Sequence, residues 1–266
     1  MSTPNWVERT VFLSNRYSDF VYNPATKSKC NFQLNVPLSI PSEYAFLVSV
    51  ISANVPYSFY VIPTATTVQY IIGGVTKTLT VQPGNWTADY IAGTFLSDSN
   101  VTTTWAAATN TFTMTCGTSI TLLASPLFGT LANTTGTNIT SVVTPDIAGT
   151  RYVHVLSSLQ TDGITTGTMP IGSGELAAIP VSAQVGNFIT YMPNIAPKFK
   201  LRESTISNFD ITLCDSNLNP LNMNGCDWEI CLKVELYIPP GQEQTYSDAP
   251  KGLGLFDASR KNFGAK

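Results

Sequence analysis

The chain has 266 residues, of which 43% are hydrophobic and only 12% are charged, against about 25% charged in typical soluble domains. This length suits one large β domain or two smaller ones. With a net charge of −3 the chain offers no basic field, so we expect no specific nucleic-acid binding. The low charge favours a subunit of a larger assembly; a secreted β-protein is the alternative.

The cysteines and the absence of sorting signals bear on where the protein is made. No export signal opens the chain and no apolar run could span a bilayer, so we expect synthesis in the cytosol without secretion. The cysteines have neither a disulfide framework nor zinc-ligand spacing, which predicts reduced thiols. They are Cys30, Cys116, Cys214, Cys226 and Cys231.

Residues 1–29 mix aromatic and charged side chains without a clear period. Trp6, Phe12, Tyr17 and Phe20 make this segment too aromatic for an ordinary disordered tail. We therefore expect an N-terminal arm that lies against a neighbouring surface.

Strand signals begin at Cys30. Apolar and polar residues alternate over 30–36, a nearly continuous apolar run covers 44–51, and residues 53–63 continue extended after a turn at Pro56. Three strands in about 34 residues predict a β-dominated fold from residue 30 to residue 65.

Residues 66–136 have a different pattern. A hairpin is predicted over 70–81 at Gly73-Gly74, and a second hairpin, over 103–116, turns at Thr109-Asn110. A helical face follows the first hairpin over 86–96, and a short strand and a capped turn follow the second over 120–131. Two such β-β-α units predict a small inserted α+β domain; the alternative is that these strands continue the main sheets.

The main domain resumes after a predicted linker over residues 134–140. Its remaining strands are predicted over residues 151–157, 176–181, 187–192, 206–213 and 228–238. Together with the first three they make eight, the number in a jelly-roll sandwich. We therefore predict a mainly β fold: a discontinuous jelly-roll domain over 30–65 and 137–241, the insertion over 66–136, and a C-terminal tail over 242–266.

The last two strands form the clearest pattern of the chain. Residues 209–214 and 228–238 alternate strictly, so that Trp228, Ile230 and Leu232 would face the core. The opposite face carries Glu229, Lys233 and Glu235, which we expect beside a neighbouring subunit. The loop over 215–227 is rich in residues that stabilise turns.

Candidate catalytic and metal-binding residues are few. His154 lies mid-strand without a nucleophile motif, which favours a structural histidine. Asp215 and Asp227 could ligate calcium through oxygen, but the loop lacks calcium-loop spacing, and turn chemistry is the favoured interpretation. We expect no enzyme, no catalytic, cofactor-binding or metal site, and no cofactor.

Three loop or terminal segments remain. The glycines over 163–167 and 172–174 do not form a phosphate cradle, since no strand-to-helix transition follows them. The basic segment 195–203 is interpreted as a solvated loop, with an anion or partner contact as the alternative. The tail combines basic and apolar residues, a composition typical of a segment that docks on a partner.

An ordered set of segments carries a resemblance to a known family. The segments are residues 44–60, 81–87, 126–129, 206–213 and 221–230. Spanning roughly residues 30 to 240, this set resembles the minor capsid, or penton, proteins of virophages, polinton-like viruses and related large DNA viruses. Its motifs are structural rather than catalytic.

The resemblance implies a virion protein. Five copies of a single jelly roll would fill an icosahedral vertex and dock on the major capsid protein and other minor capsid proteins. An insertion such as residues 66–136 would lie outside, which leaves open a host-surface contact, although no Arg-Gly-Asp motif is present. Two alternatives are a minor capsid or cement protein beneath or between capsomers, and a carbohydrate-binding β-sandwich in which Trp86 and Trp105 stack on sugars.

Overall fold

The structure is a computed structural model that describes residues 8–147, 149–161 and 174–237. Within these residues the chain is mainly β, and two of its three five-stranded antiparallel sheets enclose one hydrophobic core. This arrangement is a jelly-roll-like β-sandwich.

The first sheet has the strand order β1-β15-β4, with β12 and β13 both paired to the far edge of β4. Its strands are β1 (Glu8–Ser14), β4 (Ala45–Pro56), β12 (Phe188–Tyr191), β13 (Phe199–Lys200) and β15 (Glu229–Tyr237).

The second sheet has the strand order β11-β10-β14-β3-β2. Its strands are β2 (Phe20–Val21), β3 (Lys29–Ser39), β10 (Tyr152–Ser157), β11 (Gly174–Pro180) and β14 (Thr205–Cys214). A single 3₁₀ turn, Asn15–Tyr17, carries the chain from the first sheet to the second.

The pairing of early strands with late strands closes the sandwich. β1 pairs with β15, and β3 pairs with β14, so the first and last parts of the described chain lie side by side in each sheet. The predicted alternation of the last strand is confirmed, because Trp228, Ile230 and Leu232 are buried in the common core. Long-range pairing of this kind holds the two sheets of the sandwich together.

A third sheet lies between β4 and β10 in the chain, with the order β6-β5-β8-β7 and β9 paired to β8. Its strands are β5 (Thr66–Ile72), β6 (Val75–Val81), β7 (Val101–Ala106), β8 (Thr111–Leu122) and β9 (Thr134–Thr140). A short helix, α1 (Ala88–Tyr90), continues as a π turn over Ile91–Phe95. This sheet and helix have a hydrophobic cluster of their own.

Both predicted hairpins of this segment are confirmed. Gly73 and Gly74 have φ values of 56° and 79°, the left-handed geometry that a two-residue turn of this kind requires. Asn110 has a φ of 52° in the second turn. The predicted helical face is present as α1 and its π turn, and Ser125 Oγ accepts a hydrogen bond from Phe128 N in the capped turn.

Three local predictions are wrong. Residues 134–140 are not a linker, because they form β9 and pair with β8. No strand follows Pro56 over residues 57–63, since β4 runs unbroken to Pro56 and the chain then turns. Residues 8–14 of the predicted arm form β1, which pairs with the chain's own β15, whereas the prediction was an arm against a neighbouring surface.

Candidate assembly surfaces

His154 lies at a strand-to-strand contact. Its Nδ1 is 2.7 Å from Oε1 of Glu175, which lies on the neighbouring strand β11. Both side chains are partly buried. The pair ties β10 to β11, which is the structural role that the sequence favours for this histidine.

The two aspartates of the 215–227 loop have separate partners. Asp215 Oδ1 accepts hydrogen bonds from the backbone N–H groups of Asn217 and Asn219, both at 2.8 Å. Asp227 Oδ1 lies 2.7 Å from Nζ of Lys27. The turn interpretation therefore describes Asp215, while Asp227 ties the loop to the segment before β3. Among the described residues no three His, Cys, Asp or Glu side chains are grouped so that they could hold a metal ion.

The two tryptophans considered for sugar stacking pack against aromatic neighbours. Trp86 stacks on Tyr90 at a centroid distance of 5.1 Å and meets Phe95 edge-on, while its Nε1 donates to the carbonyl of Gln82. Trp105 packs on Phe112 at 4.9 Å. These contacts anchor both rings to the cluster of the third sheet.

Several of the predicted segments lie outside the described residues. They are the glycines over 163–167 and 172–173, and the tail over 242–266. In the basic segment 195–203, Lys198 Nζ lies 2.7 Å from Oε2 of Glu235. Lys198 is thus paired across the sheet edge to the last strand.

An exposed aromatic patch lies on one narrow side of the sandwich. We call it the β1 edge patch, and it consists of Phe12, Tyr17, Phe20 and Tyr22. Phe12 is 82% exposed because it points outward from edge strand β1, whereas its neighbours Val11 and Leu13 pack towards the core. Only residues 15–19 separate β1 from β2, so both sheets present this patch on the same side.

A second exposed apolar patch lies on the opposite narrow side. We call it the β12 edge patch, and it consists of Val185, Phe188, Met192 and Ile195. Residues 192–198 leave the edge of β4 between β12 and β13, which carries Ile195 out to 88% exposure. Because β11 packs against β12 and β4, the two sheets also end together on this side. Exposed large apolar side chains concentrated in this way mark interaction surfaces.

The sequence alone does not indicate these two patches as a pair. Its pattern places the N-terminal aromatics in an arm. The same pattern places Phe188 and Met192 in a strand and Ile195 in a solvated loop. The burial of single residues at a sheet edge depends on strand order, which the local pattern does not contain.

Charged residues on the outer face of the first sheet pair within the chain. Lys233 Nζ lies 2.8 Å from Glu8 Oε2 and 3.2 Å from Glu235 Oε1. The ion pair with Lys198 lowers the pKa of Glu235, against the effect of burial, and Lys233 lowers it further. Two of the three residues expected beside a neighbouring subunit, Lys233 and Glu235, therefore have partners in their own chain; Glu229 is exposed.

Comparisons with known proteins give a likeness in structure but none in sequence. No protein-family model matches the sequence, and no curated protein matches it. Among solved structures the chain is similar to the selenomethionine-labelled mavirus penton protein, with 10% sequence identity and a TM-score of 0.48. The match covers 86% of this chain and 99% of that chain. A likeness at this level does not establish a shared family.

The helices of the described residues are all short. None has the length and apolar composition required to cross a membrane.

Proposed function

We propose that the protein is a structural virion protein, the penton of an icosahedral capsid. Five copies form a ring at each five-fold vertex and dock on the surrounding major capsid proteins. The observation that carries this proposal is the pair of different apolar patches on opposite narrow sides of one sandwich.

Two unlike patches on opposite sides favour a ring over a dimer. A two-fold dimer uses the same patch on both subunits, whereas a head-to-tail contact joins two different patches. Here the β1 edge patch of one copy would meet the β12 edge patch of the next. Repeated head-to-tail contacts close into a ring when the rotation from one subunit to the next is a whole fraction of a full turn.

The segments that carry the sequence resemblance belong to the frame of the fold. Phe46 and Val48 of the first segment, and Met223 and Trp228 of the last, are buried in the common core. Phe128 of the short central segment is buried in the cluster of the third sheet. Such positions support a shared framework rather than a shared active site, which suits a capsid protein.

We further propose that the third sheet is an inserted domain on an eight-stranded jelly roll. We count as its eight strands β1, β3, β4, β10, β11, β12, β14 and β15, and leave out the two-residue strands β2 and β13 of the same sheets. The separate hydrophobic cluster supports an independent unit. Ile147 packs against this cluster, and Ser141 Oγ donates a hydrogen bond to the carbonyl of its member Phe128, so we place the end of the insertion at residue 147 instead of residue 136. On the outer capsid surface this domain would be placed to contact a host cell.

Native mass spectrometry of the purified full-length protein tests the ring. One chain has a mass of 28.7 kDa, so a pentamer is expected at five times this mass. A protein that stays monomeric at micromolar concentration, or that forms only dimers, would contradict the proposal. Imaging of virions then decides between a vertex and a position beneath or between capsomers.

A further inference from the structure

A groove crosses the outer face of the first sheet between the two edge patches. Two adjoining depressions of about 390 and 450 Å³ form it, and both are lined by Asn54 and Glu229. Phe12 and Tyr17 line one end and Phe188 lines the other. The groove therefore opens onto both patches that we assign to subunit contacts.

The floor of this outer groove is acidic. Glu229 lies between Ser14 of β1 and Asn54 of β4 in the sheet register. It is exposed, and no described residue forms an ion pair with it. Asp227 lines the same groove but already pairs with Lys27. An occupant that brings a positive charge between apolar anchors would complement Glu229 and the aromatic ends.

One segment of this chain outside the described residues has that composition. Residues 251–266 carry four basic side chains, Lys251, Arg260, Lys261 and Lys266, against a single acidic one, Asp257. Leu253, Leu255, Phe256 and Phe263 supply apolar anchors. The basic side chains would complement the acidic Glu229, and the apolar anchors would fit the aromatic ends of the groove.

The direction of β15 favours the groove of another copy over the chain's own. Glu229 starts this strand at the groove, and Tyr237 ends it at the other end of the sheet, opposite Ala45. Nine strand residues separate these ends by about 30 Å, so the chain leaves the sheet pointing away from its own groove. Residues 238–250 can span about 43 Å when extended, which reaches an adjacent subunit and also exceeds the distance of about 30 Å back to the chain's own groove. The direction of β15, and not the linker length, therefore favours the other copy.

We infer that the outer groove binds residues 251–266 of a neighbouring copy of this chain. The inference rests on the proposed ring and gives it a second contact. Phe256 and its neighbouring leucines fill the aromatic ends of the groove, and a basic side chain of the segment pairs with Glu229. Each subunit is thus tied to the next by its edge and by its tail.

Photocrosslinking of the full-length protein tests this inference. Phe256 is replaced by benzoylphenylalanine, and ¹⁵N-labelled chains are mixed with unlabelled chains before irradiation. We expect crosslinks between differently labelled chains, at residues of β12 or at the start of β15. Glu229→Lys should lower their yield by about fivefold, an effect typical of a charge pair across an interface. Glu43→Lys, an exposed change at the other end of the sheet, should leave the yield unchanged.

The outcomes separate the tail from the ring. Three results would overturn the tail inference, even where native mass spectrometry shows a pentamer. They are crosslinks confined to one chain, crosslinks at other surfaces, and an unchanged crosslink yield in Glu229→Lys. Crosslinks between chains at the groove in a protein that forms no pentamer would uphold the tail contact and overturn the ring. An absence of crosslinks between chains would overturn the tail inference in either case.

Discussion

Trp228 Nε1 donates a hydrogen bond of 2.8 Å to the carbonyl oxygen of Lys27. The indole is fully buried, and the backbone N–H of Trp228 donates to Asn15 Oδ1 at 3.0 Å. The start of β15 is thereby fastened to two segments more than 200 residues earlier in the chain. This contact joins the two sheets at the end where the outer groove lies.

Replacement of Trp228 separates its packing from its hydrogen bond. Trp228→Phe keeps most of the apolar volume but leaves the Lys27 carbonyl without its donor, so we expect a loss of about 1–3 kcal/mol in the free energy of unfolding. Trp228→Ala also leaves a cavity and should cost about 3–5 kcal/mol. Chemical denaturation measures both. Equal losses in the two variants would contradict a separate contribution from packing.

The phenol of Tyr70 should titrate at unusually high pH. Burial raises its pKa to about 12, and the hydrogen bond to Asp98 Oδ2, 2.7 Å long, acts in the same direction. Because the pKa of Tyr70 is higher in the folded than in the unfolded state, its contribution to the free energy of unfolding is complete below the unfolded pKa near 10. This contribution is lost as pH rises through about 12. A pH titration followed by tyrosinate absorbance should show a phenol that ionises at this high pH, and this step should be absent in Tyr70→Phe. Tyr22→Phe is the matched control, in which the high-pH step should remain.

How far the sequence predicts this fold depends on the local signal of each strand. Apolar and polar residues alternate strictly over 228–238, and in the described part of this segment Trp228, Ile230, Leu232 and Val234 are buried, as the pattern predicts. In β1 the outward-facing Phe12 is apolar like its inward-facing neighbours Val11 and Leu13, so the sequence shows no alternation there and does not predict the strand. Whether residues 8–14 form a strand depends on their pairing with β15, which lies more than 200 residues away in the chain.

Strand β9 was missed for a different reason. It contains threonine, glycine and asparagine, and Ile139 is its one residue in the buried cluster. Hydroxyl pairs such as Thr113–Thr140 and Thr121–Thr135 hold it beside β8. Cross-strand pairs of this kind stabilise a sheet without an apolar period, so a composition typical of linkers concealed it.

Charges placed in the β12 edge patch should prevent assembly. Met192→Glu combined with Ile195→Glu puts two carboxylates where an aromatic surface of the next copy is expected, and unpaired buried charge is costly. We expect monomers with unchanged secondary structure by circular dichroism. Val75→Glu is the control, since Val75 is also exposed but lies in the third sheet. Assembly that persists in the double variant would exclude this patch from the contact.

Asp215 should contribute to stability through its turn rather than through a metal. Asp215→Ala removes the acceptor of two backbone hydrogen bonds, at a cost of about 0.5–2 kcal/mol by analogy with helix caps. Asp215→Asn keeps a side-chain oxygen acceptor and should cost less. Thermal unfolding of the wild-type protein should show the same midpoint with calcium and with a chelator. A rise with calcium that Asp215→Ala abolishes would instead support a metal site.

Electron cryo-microscopy of the purified full-length protein tests the central claim most directly. The account predicts rings of five subunits in which the β12 edge patch, around Ile195, contacts the β1 edge patch, around Tyr17 and Phe20, of the next copy. A two-fold dimer, or a ring in which both patches face solvent, would contradict it.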